Sequence, residues 1–185
     1  KKMIFRKANS KDEDTITQIA SRAYQKYIER MGKEPAPMKP NIQKNDIVFV
    51  CEKDNKIIAF AILVIKDGNI LLENLAVEPL FQKKNVGTAF ISFIENYLIS
   101  EKFDFYQLYT NEKMIENILW YQKIGFKKIP SRETYFPKKV NFYNAKNCKK
   151  ICDIDISKFN YKNNRYTTLK RSTLLSFLLK NIPEN

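Results

Sequence analysis

The chain contains no histidine, which removes Ser-His and Cys-His nucleophilic catalysis and leaves carboxylates, tyrosines and lysines to move protons. Two neighbouring features supply chemistry within that restriction. The first is Glu73, the one carboxylate set into the largely aliphatic, strand-like run Ile70 to Val77. The second is the stretch Gln82-Lys83-Lys84-Asn85-Val86-Gly87-Thr88. Glu78-Pro79 ends the strand, because proline cannot donate to a ladder and biases its neighbour away from helix. Apolar residues then recur at 86, 90, 93, 94, 97 and 98, which is helical spacing. The second stretch therefore stands at a helix N-terminus, where successive amides lack intrahelical partners and the dipole adds positive potential. That arrangement suits a phosphate or pyrophosphate. No metal is implied: Cys51, Cys148 and Cys152 are an odd set, and Cys148 and Cys152 have neither a histidine nor a second pair to complete a site. The cysteines are expected to be reduced and structural.

These groups need a scaffold, and the remaining pattern specifies one. Met3 to Lys7 reads as a first strand. Ser10 with Glu13 makes a capping box, after which Ile16, Ile19, Ala20, Ala23, Tyr24, Tyr27, Ile28 and Met31 trace one helix face until Gly32 stops it. Lys33 to Pro40 holds prolines at 35, 37 and 40 and cannot be regular structure. Ile47 to Glu52 and Lys56 to Ile65 are strands joined by Lys53-Asp54-Asn55, and Asp67-Gly68 is a hairpin turn into the strand that carries Glu73. Phe105 to Thr110 is a further strand. Asn111 caps a helix running to about Ile124, closed by Gly125, and Phe126–Ile129, Glu133–Phe136 and Val140–Ala145 supply the last strands. With 185 residues, 44% of them hydrophobic, one domain plus an extension is expected. The fold class is α/β, a mixed and mostly antiparallel sheet flanked by helices.

The loop resembles the acyl-CoA-binding motif of the GNAT acetyltransferase superfamily, Gln/Arg-x-x-Gly-x-Gly/Ala after a strand. Gln82 fills the first place, Gly87 the last, and Asn85 stands where the first glycine is usual. Asparagine is the next most tolerant residue for positive φ, so the loop keeps its shape. A second stretch, YTNEKMIENILWYQKIGF at 109–126, resembles the family segment Asn-x-x-x-Tyr-x-x-x-Gly-Phe, with Asn117, Tyr121, Gly125 and Phe126 in register. Two motifs in the right order are far more specific than one, and the resemblance covers about residues 1–146, the expected acetyltransferase domain. It implies a GNAT-like acyl-CoA N-acyltransferase fold, with acetyl-CoA (coenzyme A) as cofactor.

In that family the chemistry is acetyl transfer to an amine by direct attack. A primary alkylamine with a pKa of ~10.4 is mostly protonated at neutral pH, so a base is required. Glu73 is the candidate general base, acting through water as the matching glutamate of polyamine acetyltransferases is held to do. Simple strand alternation puts Glu73 on one face with Leu75 and Val77. Tyr121 is the expected general acid for the departing thiolate. The backbone of Leu75, Ala76 and Val77 would border the pantetheine arm, with a bulge near Leu75-Ala76 and the Val77 amide donating to the thioester oxygen. Gln82 to Thr88 would hold the pyrophosphate. Asn111 and Asn117 would hydrogen-bond the cofactor, although helix capping and a solvent-facing amide account for them equally. Lys83, Lys84 and Lys123 would face phosphates, or solvent. On the acceptor side, Tyr24, Tyr27, Arg30 and Met38 suggest a part-aromatic, part-charged pocket for a small-molecule or protein amine.

Residues 147–185 fall outside the resemblance and read as a basic C-terminal extension. Residues 136–185 carry 11 Lys/Arg against 3 Asp/Glu, most of the net charge of +13. Ile151, Ile154 and Ile156 hint at a strand, Asn160–Asn164 at a loop, and Leu169 to Ile182 at an apolar-faced helix packed on the domain or across a homodimer. A lysine excess with only four glycines also follows from an AT-rich coding bias, so charge alone does not indicate nucleic acid. No apolar run is long enough to span a bilayer and no signal-peptide pattern precedes the first strand, so the expected location is cytoplasmic. Two other readings stay open: a basic nucleic-acid-binding module working through the tail, and a GNAT scaffold that binds acyl-CoA without transferring it.

Overall fold

Four strands, each joined to the next in antiparallel register, carry the first part of the chain: β1 (Ile4–Lys7), β2 (Ile47–Lys53), β3 (Lys56–Lys66) and β4 (Asn69–Val77). The computed structural model describes residues 2–66, 69–103, 105–128 and 167–172. Two compact units divide between Phe103 and Asp104. In β3, Ile58 through Leu63 are all 1% exposed or less. An unbroken buried run of this kind means that both faces of the strand are covered. On one face lies α1 (Glu13–Tyr24), whose Ile16, Ile19, Ala20, Ala23 and Tyr24 are buried and which packs on β3 and β4. On the other lies α3 (Val86–Ser100), held by aromatic contacts of Phe93 with Phe5 at 5.0 Å and with Phe49 at 5.0 Å, and of Tyr97 with Phe49 at 4.9 Å. Each fully buried side chain of such a layer contributes about 1.5–3 kcal/mol at most before entropy is counted.

The first helix starts one residue away from expectation. The capping box joins Asn9 to Asp12, not Ser10 to Glu13, and Ser10–Asp12 forms a single 3-10 turn before α1. The physical reason is Arg6, whose guanidinium binds Asp12 at 2.7 Å and Glu52 through Nε at 2.8 Å. It pins Asp12 where its carboxylate can also accept from the Asn9 amide. The same pairing holds the Asp12 carboxyl below the ordinary carboxylate range. After α1 a 3-10 turn at Gln25–Tyr27 leads to the short α2 (Ile28–Met31), closed by Gly32 at φ 70°. The proline segment contains one 3-10 turn, Ala36–Met38. Cys51 is fully buried, and burial, helped by Glu52, pushes its thiol up to about 11. That accords with a structural role.

In the second unit β5 (Phe105–Thr110) has the bounds the sequence predicts, and α4 (Ile115–Lys123) is followed by Gly125 at φ 102°. A two-residue strand, β6 (Lys127–Lys128), pairs with β7 (Thr167–Ser172), and β7 pairs antiparallel with β5. This corrects one expectation: Leu169 to Ser172 belong to a strand and do not begin a helix, because pairing with β5 outweighs a local apolar period. The remaining expected tail helix, the Asp67-Gly68 turn, the strands at 133–136 and 140–145, and the features at 151–164 lie outside the described residues. The architecture is α/β with a mostly antiparallel sheet.

Candidate active site

The loop between β4 and α3 is a tight turn. Pro79–Phe81 makes one 3-10 turn, and two of the following residues adopt left-handed backbone, Lys83 at φ 59° and Asn85 at φ 62°. Asn85 is the N-cap of α3 but its side chain makes no capping bond. The first amide taken up within the helix is that of Ala89, 3.0 Å from Asn85 O. The amides of Val86, Gly87 and Thr88 therefore have no intrahelical acceptor. Lys83, Lys84 and Asn85 are exposed around them. Gln82 turns inward: its Nε2 donates to Val77 O at 3.0 Å, tying the loop to the last residue of β4.

Strand β4 departs from regular alternation at the candidate base. Asn74 stands opposite Ile62 and Leu72 opposite Leu63, so Glu73 is one extra residue on this side of the ladder. The bulge expected near Leu75-Ala76 thus falls at Glu73 instead, and Leu75 and Ala76 pair regularly with Ala61 and Phe60. The consequence is a reversal of parity. Ile70, Leu72, Leu75 and Val77 all lie opposite odd-numbered residues of β3, on the face that carries α3, whereas Asn74 and Ala76 lie on the face of α1. Glu73 sits at the switch between these sets. Its direction is governed by the bulge and not by the simple alternation that would group it with Leu75 and Val77. Its side chain is half-buried.

The acceptor-side residues divide by burial. Tyr24, Tyr27 and Met38 are 7%, 1% and 6% exposed, so they are packed into the unit, and Arg30 is the exposed member, its guanidinium 5.5 Å from the Tyr27 ring centre. The Tyr24 hydroxyl donates to Asn74 Oδ1 at 2.9 Å, with Leu75 O at 3.3 Å as a second acceptor. Asn74 Nδ2 in turn donates to Pro37 O at 2.9 Å. In the second unit Tyr121 is 7% exposed within an aromatic group, 5.3 Å from Phe126 and 4.7 Å from Trp120 between ring centres. Asn111 accepts from the Lys113 amide at 2.9 Å, forming the turn that precedes α4. That turn, not a helix cap, occupies its oxygen, and the cap expected of Asn111 is not made: the N-cap of α4 is Met114, with no side-chain capping bond. Asn117 approaches Met114 Sδ at 3.8 Å, and Lys123 is exposed.

Residues 44–128 match a family model described as acetyltransferase (GNAT) domain. Over those residues the chain is similar to a GNAT acetyltransferase domain. Solved structures with the same fold include the ribosomal-protein-S18-alanine N-acetyltransferase of Escherichia coli, 20% identical with a TM-score of 0.57 over 74% of this chain and 84% of that one. PaiA N-acetyltransferase of Thermoplasma acidophilum, in complex with coenzyme A, is 14% identical with a TM-score of 0.61 over 77% and 97%. A GNAT-family acetyltransferase of Staphylococcus aureus Mu50 is 14% identical with a TM-score of 0.65 over 93% and 99%. No curated protein sequence matches. The expected GNAT-like fold is the fold found.

Within the first unit, two connections were not read from the sequence. One is Asn74, whose signal was available: an amide in an aliphatic buried strand has to be hydrogen-bonded. The other is Arg22, which pairs with Glu78 through Nε at 3.0 Å and Nη2 at 2.8 Å, just before the loop. An open cleft of about 320 Å³ lies at the other end of the strands, lined by Lys7, Asn9, Glu13, Gln43, Lys44 and Asp46 among others. It includes none of the predicted site residues. Among the described residues there is no cluster of metal-ligating side chains, and no helix is long and apolar enough to cross a membrane.

Proposed function

We propose that the chain is an acetyl-CoA-dependent N-acetyltransferase acting on an amine, either a small molecule or a protein amine. The observation that carries the reading is the β4–α3 loop: three unclaimed amides at a helix N-terminus, preceded by two left-handed residues, inside the segment that matches the GNAT model. Acetyl-CoA, when bound, supplies the acetyl group as an activated thioester. The amides of Val86, Gly87 and Thr88, with Lys83 and Lys84 beside them, hold the diphosphate, and the backbone of Leu75, Ala76 and Val77 lines the pantetheine arm. The Val77 amide supports the carbonyl oxygen as charge develops on it. Glu73 accepts the proton of the attacking ammonium, directly or through one water, so that the neutral amine is the nucleophile. The Tyr121 hydroxyl returns a proton to the sulfur that leaves. Asn117 is a further polar group for the cofactor, and Arg30 one for the acceptor.

The test is release of coenzyme A thiol from acetyl-CoA across a broad panel of amines, with Glu73→Gln and Tyr121→Phe beside the parent. Both variants should lose activity by about 10²–10⁴-fold while retaining coenzyme A binding by calorimetry. Equal turnover in parent and Tyr121→Phe removes the tyrosine from the mechanism. Absence of transfer to every amine, with coenzyme A still bound, would favour a non-catalytic acyl-CoA-binding protein.

A further inference from the structure

We propose that Tyr24 is a positioning residue, whose buried hydroxyl locks the acceptor side of the site to the strand that carries Glu73. The inference rests on the reading of Glu73 as the base. Tyr24 reaches across from α1 to Asn74, the residue that follows the bulge at Glu73. Asn74 is 4% exposed, and both ends of its amide are engaged, Oδ1 by Tyr24 and Nδ2 by Pro37 O. One side chain therefore joins three segments: the helix, the proline turn Ala36–Met38 and β4. A second tie, Arg22 to Glu78, fixes the same helix to the residue just after β4, four positions beyond Asn74. Helix α1 thus grips β4 on either side of Leu75–Val77, and the bulge at Glu73 abuts the upper grip.

A bulge interrupts the ladder, so the placement of the backbone there depends on the contacts of its neighbours. Here the neighbour is fastened to α1 and to the proline turn. Tyr24 does not serve the acceptor by touching it, since its hydroxyl is spent on Asn74 and Leu75. It keeps Glu73 and the 33–40 segment in one mutual geometry, the kind of placement whose loss by 1 Å can cost about 10²-fold.

Tyr24→Phe, which keeps the ring and removes the hydroxyl, is compared with the parent, with Glu73→Gln and with Asp12→Asn, a destabilising change remote from the loop. In Tyr24→Phe the KM for the amine should rise about tenfold and the ratio of kcat/KM between two amines of different size should shift, with the KM for acetyl-CoA unchanged. Backbone amide exchange across residues 33–40 should quicken. Asp12→Asn should leave the amine KM, the ratio and that exchange at parental values, because loss of folded enzyme lowers kcat for all amines alike. Parental amine KM and ratio in Tyr24→Phe, with Glu73→Gln inactive, overturn the proposal. If Glu73→Gln keeps the parental rate, the base reading has failed, and the exchange measurement alone decides: quicker exchange at 33–40 supports the lock and unchanged exchange overturns it.

Discussion

Asn85 offers a quantitative handle on the proposed phosphate loop. It holds φ at 62° at the N-cap of α3 and makes no capping bond with its side chain. The only thing asked of this residue, then, is its backbone conformation. A non-glycine residue in the left-handed region costs about 1–2 kcal/mol, least for asparagine and most for β-branched residues. Asn85→Val therefore adds about 1.5 kcal/mol to whichever state keeps the loop in shape. Two limits bound the outcome. If the variant loop retains its turn without ligand, the cost falls on folding, and Tm drops by about 3–6 °C with coenzyme A affinity unchanged. If the loop relaxes, folding is spared and the ligand must rebuild the turn, which weakens Kd by about tenfold. Intermediate behaviour divides the same free energy between the two readouts. Calorimetric titration with coenzyme A and a thermal melt measure both. Asn85→Gly needs no such conformation energy and should keep the parental Kd within about twofold. Parental Tm and parental Kd together in Asn85→Val would refute the reasoning, as would a loss of affinity in Asn85→Gly equal to that in Asn85→Val.

Gln82→Met keeps the length of the side chain but removes the bond from Nε2 to Val77 O; a net loss of about 1 kcal/mol corresponds to a roughly fivefold weaker Kd for coenzyme A. Titration calorimetry reads it directly, and an unchanged Kd would show that the loop holds to β4 without this latch. Asp12→Asn tests the Arg6 pairing through pH. Asp12 has a folded-state pKa below its unfolded value, with the Arg6 hydrogen bond as the largest cause. Its contribution is therefore present above about pH 4 and is lost as pH falls through the folded value. The parent should exceed Asp12→Asn in Tm at pH 7, and the gap should close as the pH falls below about 3. A gap that stays constant from pH 7 to pH 2.5 would mean the carboxylate charge is not what stabilises the pair.

What the sequence makes legible here is what repeats within one element. Val86, Phe90, Ile94 and Leu98 fall on one helical face and all four are buried, so both the existence of α3 and its first residue could be read in advance. Gly32 and Gly125 mark helix ends because only their left-handed backbone permits the turn that follows. The family resemblance located the loop, and the left-handed φ of Asn85 shows how the departure from glycine is accommodated. The misreadings share a different cause, because each depends on a partner far away in the chain. The capping box shifts by one residue because Arg6, bridged to Glu52 on β2, captures Asp12. Residues 169–172 form a strand because β5 is there to pair with them.

The same distinction runs through the site. The apolar period of α1 correctly puts Tyr24 on the buried face, but period says nothing about where a hydroxyl is spent, and its partner Asn74 lies fifty positions on. Alternation along β4 likewise assigns Glu73 a face only if the ladder is continuous, and continuity is a property of β3 as much as of β4. A bulge adds one residue on one strand, so it moves a carboxylate relative to its neighbours without altering the composition of the strand. The residue types that the proposed acetyl transfer would use are therefore written locally in this chain. The orientation that would let Glu73 act is written in contacts between α1, the proline turn, β3 and β4.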